Sequence, residues 1–516
     1  MAKKSRTEYS ARNTGVAVAA NITAIVVGYL TRVVFTHTLE EAYVGINGLF
    51  TNILNVLALS ELGIGSAVTY ALYRPVAEDD VEKQKAYMRL YRKFYRIVAG
   101  IVLAGGLLVI PFMDILVRDQ DRVDHLIFIY LMYLLNSVIS YLLVYKAALL
   151  DAHQLNYIGV LYQTVFLIVQ NLLQILVLLL TKNFILYVLI FILCTILNNF
   201  CISKKADKMY PYLKDRETES LSKQEKDDIF RNVRAMLMHK IGRVAVNNTD
   251  NLLLSSIVGI TSVSCYSNYY LVIGSVKQIL DRMFLAISAS VGNLGVEERG
   301  ERIKRVFEAT FFAGQWAFGF AAICLYELLD SFVEFSFGGQ FVFSKDITLI
   351  LCLNFYLMGT CRATTVFRDS MGLFRYDRYV SILEAAINLA VSILLGRYWG
   401  TAGVFLGTTI STVTTSLWVG PYILYKHKLN CSSLKFFARY ILYGAVTFGV
   451  WFCTDLLCRR ITGPLPVVLA GKMACCLLLP NLVYLLLYHR TEEFRLLMRK
   501  GLGIIKKLKH QHLSGH

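Results

Sequence analysis

Fourteen apolar stretches succeed one another along this chain, each long enough to cross a bilayer as a helix, with short polar breaks between them. A crossing helix needs about 20 predominantly apolar residues, and inside hydrocarbon every backbone N–H and C=O must find its partner within the protein. Helices meet that condition, and open sheets do not. The stretches lie at 14–35, 43–73, 95–117, 125–150, 156–180, 183–203, 235–259, 265–294, 307–329, 347–367, 376–396, 401–425, 437–458 and 466–488. The sequence predicts an all-α polytopic membrane protein with 14 transmembrane helices. The stretches 43–73 and 265–294 exceed one crossing and are rich in Gly, Ser and Asn, which predicts tilt, a kink or a partly interfacial segment.

Charged residues make up only 17% of the chain, against roughly a quarter in soluble proteins, and this excludes a soluble enzyme. The net charge of +17 would point to nucleic acid on a soluble chain; here it follows the rule that Lys and Arg of short loops stay on the cytoplasmic side. Counted with their nearest loops, 40 of the 53 Lys and Arg fall on the side of the termini, seven on the opposite side, and six lie deeper in the spans. Both termini are therefore expected in the cytoplasm, in a multi-pass protein of the cytoplasmic (inner or plasma) membrane, with no nucleic acid as partner. The opening MAKKSRTEYSARN runs into apolar sequence with no small-residue cleavage site close behind, which reads as a retained first span. The eleven cysteines sit in or beside apolar stretches without a C-x-x-C pair or a His cluster, so they read as packing residues with no metal.

The longest break, 204–234, is strongly charged and divides six spans from eight. It reads as a cytoplasmic linker between an N-lobe at 1–203 and a C-lobe at 235–425, with two further helices and a basic cytoplasmic tail at 426–516. Six spans return the chain to its starting side, so a repeat of the two six-helix lobes is parallel, about a pseudo-two-fold along the membrane normal. A shift of 221 residues matches Asn47 with Asn268 and Leu59 with Leu280 and little else. The opposite-side loops are short, the longest about 17 residues at 330–346, which argues against a membrane polymerase or ligase. No G-x-x-x-x-G-K-[ST] loop is present to cradle nucleotide phosphates.

A charge near the bilayer centre costs roughly 2.5–3.5 kcal/mol on insertion scales, and such residues face a bundle interior or water. In the seventh span Lys240, Arg243, Asn247 and Asp250 fall on one helical face; its three charges would cost on the order of 8 kcal/mol against lipid. The eighth span adds Lys277 with Asp281 and Gln278 with Arg282, each four apart. The first carries Arg32, and the second Asn47, Thr51, Asn55 and Glu61. Under the pseudo-two-fold these spans line one cationic cavity between the bundles. Plainer readings stand beside this one: an internal Lys277–Asp281 pair, and snorkelling of Lys240 and Arg32. Glu61 and Glu384 are candidate proton or sodium sites or ordinary solvated carboxylates. Arg362, Arg368, Arg375 and Arg378 are membrane-edge anchors or phosphate contacts, and the run YMRLYRKFYR (87–96) is an inner-leaflet contact.

Three segments, GLFTNILNVLALSELGIGSAVTYALYRP (48–75), DNLLLSSIVGITSVSCYSNYYLVIGSV (250–276) and FRDSMGLFRYDRYVSILEAAINLAVSILLGRYWGTAGVFLGTTIST (367–412), resemble the Wzx-like lipid-linked oligosaccharide flippases of the polysaccharide transporter family. This resemblance implies two six-helix lobes plus two extra helices, a place beside multidrug and peptidoglycan-precursor exporters, and alternating access. It implies an undecaprenyl pyrophosphate-linked oligosaccharide repeat unit as cargo for cell-surface polysaccharide synthesis, with polymerase or assembly proteins as candidate partners. The candidate substrate-binding residues are Arg32, Asn47, Asn55, Lys240, Arg243, Asn247, Lys277 and Arg282; the candidate ion-coupling residues are Asp250 and Glu61. No cofactor is called for, and coupling to H+ or Na+ or pull by product consumption are both open. The alternative is a cation-coupled multidrug exporter of the same fold, which the basic excess disfavours.

Overall fold

The computed structural model describes residues 6–58, 64–118, 120–215, 221–227, 229–231, 233, 249–288, 291, 300–373, 376 and 379–499. They form helices, and no strand occurs among them. Two compact units emerge, Met1–Ser267 and Asn268–His516.

Unit 1 contains α1 (Arg6–Thr38), α2 (Glu41–Leu57), α3 (Ile64–Ala77), α4 (Val81–Val109), α5 (Leu126–Val144), α6 (Ala147–Ala152), α7 (Asn156–Thr181) and α8 (Phe184–Met209), with the first turns of α9 (Ile260–Ala286). The helix starts follow from local chemistry. Asp80 accepts the Lys83 N–H at the head of α4, and Asn183 accepts the Leu186 N–H at the head of α8. In the linker, Ser222 and Glu225 cap each other reciprocally, Ser222 N–H to Glu225 Oε2 at 2.9 Å and Glu225 N–H to Ser222 Oγ at 3.2 Å. Those donors hold the Glu225 carboxyl below its usual range. The linker lies back on the first half of α4: Tyr212 donates to Gln84, Asp215 pairs with Lys85 at 3.1 Å, and the Phe230 ring meets Phe94 at 5.3 Å.

The expected second span is not one helix. It is α2 and α3, with residues 59–63 outside the described set. Close approach of backbones fixes α2 against α9, because Gly45 and Gly48 lie where any Cβ would strike Ile260, Ser264 or Ser267, and Ser264 donates to the Glu41 carbonyl. This is the small-residue packing that membrane helices use where hydrophobic attraction between them is weak.

Unit 2 holds the rest of α9, then α10 (Glu301–Phe337), α11 (Lys345–Thr360), α12 (Arg362–Ser370), α13 (Val380–Thr414), α14 (Ser416–Leu424), α15 (Leu434–Cys458) and α16 (Leu465–Tyr488). The most apolar windows of α10 and of the α11–α12 stretch are 50% and 61% buried, against 28% or less in the other candidate spans, so these two are the centre of the unit. Phe307, Phe311 and Phe312 on α10 pack in tilted and edge-on contacts against Phe436, Tyr443 and Tyr488 of α15 and α16. Elsewhere large apolar side chains such as Leu180, Ile441 and Leu478 point outward, as a lipid-facing surface requires.

α13 folds back on itself at Gly400, whose φ of +57° favours glycine, so it supplies the two expected spans at 376–396 and 401–425. The halves run antiparallel. Ser392 donates to the Val404 carbonyl, Asn388 to Thr408 Oγ1, and Thr412 to Glu384, each pair one helical turn farther from the bend. Among the described residues, nine helices are long and apolar enough to cross a membrane, this hairpin counted as one, and Leu126–Leu142 is a shorter apolar helix. Spans two, seven and eight of the sequence reading fall on α2–α3, on a stretch described only from residue 249, and on α9.

Gly403 faces the Leu395 carbonyl so closely that a Cβ there would collide with it. Gly403→Val is expected to cost about 1–3 kcal/mol through overpacking and to lower the melting temperature in detergent micelles. Gly159→Ala, with nothing within 4 Å of its added methyl, is expected not to lower it.

Candidate functional site

Within unit 1, a polar cluster forms where α1, α2, α5 and α8 meet. Arg32, near the end of α1, places its guanidinium 5.8 Å from the Phe35 ring centroid, and the phenols of Tyr133 and Tyr187 are its electrostatic neighbours. Tyr133 also donates to Asn47 Oδ1 at 2.6 Å. Phe35 packs edge-on against Phe184 and Tyr187, and Phe50 against Tyr133, so the phenols are held by aromatic contacts on both sides. Arg32 and Asn47, two of the sequence candidates, thus share one cluster through Tyr133. Thr51 and Asn55 follow Asn47 at intervals of four along α2 and are exposed, so a polar stripe leaves the cluster for the surface. Asp250 and its neighbour Asn251 are buried in the same unit. Glu61, Lys240, Arg243 and Asn247 lie outside the described residues.

Within unit 2, Lys277 Nζ lies 2.7 Å from Asp281 Oδ2, and Arg362 of α12 reaches the other oxygen of the same carboxylate at 2.9 Å. Two cations thus share one anion. Lys277 is tied into an internal pair, the plainer of the two readings of its spacing, while Arg282 on the next position is exposed. Arg368 pairs with the adjacent Asp369; Arg375 and Arg378 are outside the described residues.

Glu384 is the terminus of the polar ladder inside the α13 hairpin. Thr412 donates to one carboxylate oxygen and Ser416 to the other, and no cation pairs with it among the described residues. One turn away, Asn388 is buried and its Oδ1 has no hydrogen-bond partner. Hydroxyl and amide oxygens around one carboxyl make a set that takes a proton or a hard monovalent cation. No group of three or more His, Cys, Asp or Glu among the described residues has the geometry to hold a metal ion.

The sequence reading did not single out Tyr133, Tyr187 or Thr412. Each lies in an apolar span where a lone hydroxyl looks like ordinary packing, and only their long-range neighbours Arg32, Asn47 and Glu384 mark them.

No protein-family model matches the chain, and no curated protein does. Solved structures do. The lipid II flippase MurJ, in an inward closed conformation, superposes with a TM-score of 0.64 over 92% of this chain and 98% of its own, at 13% identity. The fold is that of MurJ and the MATE transporters. An inward-facing MATE multidrug resistance transporter of the MOP superfamily gives 0.59 over 77% of this chain and 94% of its own, at 15% identity. VcmN, a Vibrio cholerae MATE transporter, gives 0.52 over 82% and 98%, at 14% identity. The chain is a multi-pass membrane protein of this fold.

Because Asp281 carries both Lys277 and Arg362, Asp281→Asn is expected to lower thermal stability in micelles. A double-mutant cycle of Lys277→Met with Asp281→Asn is expected to give a coupling of about 1–2 kcal/mol. A coupling near zero would mean that the pair does not form in solution.

Proposed function

We propose that this protein is a flippase that turns a polyprenyl pyrophosphate-linked oligosaccharide from the cytoplasmic to the outer leaflet of the cytoplasmic membrane by alternating access, for cell-surface polysaccharide synthesis. The observation that carries the reading is the cluster of Arg32, Asn47 and Tyr133 within the spans of unit 1, continued by Thr51 and Asn55 to the surface. The physical problem is the headgroup. An ion moved from water into a medium of low dielectric pays of order 20 kcal/mol in the Born limit, whereas the polyprenyl tail stays in hydrocarbon throughout. A guanidinium replaces water around the pyrophosphate with charge-assisted hydrogen bonds, and amide and hydroxyl groups along α2 take the place of water around the sugar. In this reading Arg243 and Lys240 extend the cationic face from the seventh span. The fold supports the class of transporter, since lipid and drug carriers both use it, and the basic excess of the intramembrane charges favours the anionic lipid over cationic drugs.

Coupling is assigned in this reading to Glu384, beside the earlier candidates Asp250 and Glu61. A carboxyl met by two hydroxyl donors and no cation changes its proton or sodium occupancy without breaking an ion pair.

Reconstituted vesicles with a fluorescent polyprenyl pyrophosphate-linked sugar test both parts. The parent is expected to translocate the lipid, and Arg32→Ala and Arg243→Ala each to slow it about tenfold or more, the effect of losing one charged hydrogen bond of about 1.5–3 kcal/mol. Export of cationic dyes without movement of the lipid-linked sugar would establish the multidrug reading instead. Glu384→Gln is expected to remove the response to an imposed proton or sodium gradient while leaving gradient-free exchange in place.

A further inference from the structure

α4 changes character at residue 97. From Ile97 onward its exposed large side chains are Ile97, Ile101, Leu103, Leu107 and Leu108; in the two turns before it they are Arg89, Arg92, Lys93 and Arg96. Residues 97–116 make one crossing of about 30 Å, so the change marks the edge of the hydrocarbon. Arg89, Lys93, Ile97 and Ile101 recur every four residues, with Arg92 and Arg96 alongside, so the basic and apolar segments form one continuous face. The opposite face, Tyr91, Phe94, Tyr95 and Val98, is buried, and the cations cannot turn inward.

Several neighbouring cations at this end of unit 1 are paired: Lys83 with Glu225, Lys85 with Glu82 and Asp215, and Lys146 with Asp207. Arg92, Lys93 and Arg96 have no carboxylate partner among the described residues. Beside Arg92 and Arg96 stands the buried Tyr145, at the corner between α5 and α6. Three cations at the headgroup level with no carboxylate partner among the described residues, continuous with a lipid-facing strip, complement one ligand above others.

We propose that Arg92, Lys93 and Arg96 hold the phosphate of an anionic phospholipid whose acyl chains lie along Ile97, Ile101 and Leu108. Guanidinium groups take phosphate oxygens in paired hydrogen bonds, and each cation near an anionic surface is worth roughly fivefold in binding. A zwitterionic lipid of the same chains brings its own ammonium to the stripe and gains far less. The site is independent of the transport reading, since it occupies the outer face of α4 and none of the residues assigned to the cargo.

Native mass spectrometry of the full chain, titrated with phosphatidylglycerol or with phosphatidylcholine of the same chains, tests this. The parent is expected to prefer phosphatidylglycerol. The triple variant Arg92→Gln, Lys93→Gln, Arg96→Gln is expected to lose at least tenfold in phosphatidylglycerol binding with phosphatidylcholine unchanged, and Arg92→Gln and Arg96→Gln singly about fivefold each, which keeps the test decisive if the triple variant does not fold. A control triple variant at exposed cations elsewhere that have no ion pair among the described residues, Lys182→Gln, Arg397→Gln, Arg460→Gln, is expected to keep the preference. Equal loss in both triples, or no loss in the α4 variants, would overturn the site. Displacement of phosphatidylglycerol from the parent but not from the α4 variant by polyprenyl pyrophosphate would overturn the assigned occupant and make the stripe a station for transported lipid.

Discussion

A polar side chain held at membrane depth must find a partner in the protein or reach water, because hydrocarbon offers neither donor nor acceptor. Unit 1 and unit 2 answer this demand differently. In unit 2 the polar groups close on one another: Asp281 binds both Lys277 and Arg362, and the α13 hairpin pairs Asn388 with Thr408 and Glu384 with Thr412. In unit 1 the Tyr133–Asn47 bond satisfies one amide oxygen, but Thr51 and Asn55 continue the same face of α2 into the open. The Thr51 hydroxyl turns back to the Asn47 carbonyl at 2.7 Å, so it is the exposed Asn55 amide that calls for water or a polar ligand, and this gives unit 1 its place in the transport reading.

Most of the architecture was legible in the chain, because apolar length and helical spacing are local properties. The all-helical class, the short connections, the Lys277–Asp281 pair four residues apart and the two spans that meet at Gly400 follow from windows of a few turns. The break of the long stretch at 43–73 into α2 and α3 was visible as an excess of length and of Gly, Ser and Asn, though not its position. Contacts across large separations were not legible. Arg362 reaches Asp281 across 81 positions, and Tyr133 reaches Asn47 across 86, and no periodicity encodes such choices. Four of the ten named site residues, Glu61, Lys240, Arg243 and Asn247, lie outside the described set, so the cationic face of the seventh span stands on the sequence alone.

The fold itself is shared by a lipid II flippase and by MATE multidrug resistance transporters, whose names already set different cargoes. Function therefore has to be argued from the site. What separates a carrier of pyrophosphate from a carrier of cationic drugs is the sign of the charge met at membrane depth. Here Arg32 stands beside the phenols of Tyr187 and Tyr133, and Tyr133 carries the cluster on to the Asn47 amide. In the transport reading that positive charge meets the anionic headgroup.

The most direct test places single cysteines along α2 in a chain cleared of its own eleven, and measures their reaction with a membrane-impermeant, charged thiol reagent. Asn47→Cys, Thr51→Cys and Asn55→Cys are predicted to react and to be protected by polyprenyl pyrophosphate-linked sugar, while Leu49→Cys and Ile53→Cys, on the buried face, stay silent. Silence at all five positions, or reaction at 47, 51 and 55 only with a lipid-soluble maleimide, would mean that this face looks into hydrocarbon and would contradict a hydrated path for the headgroup.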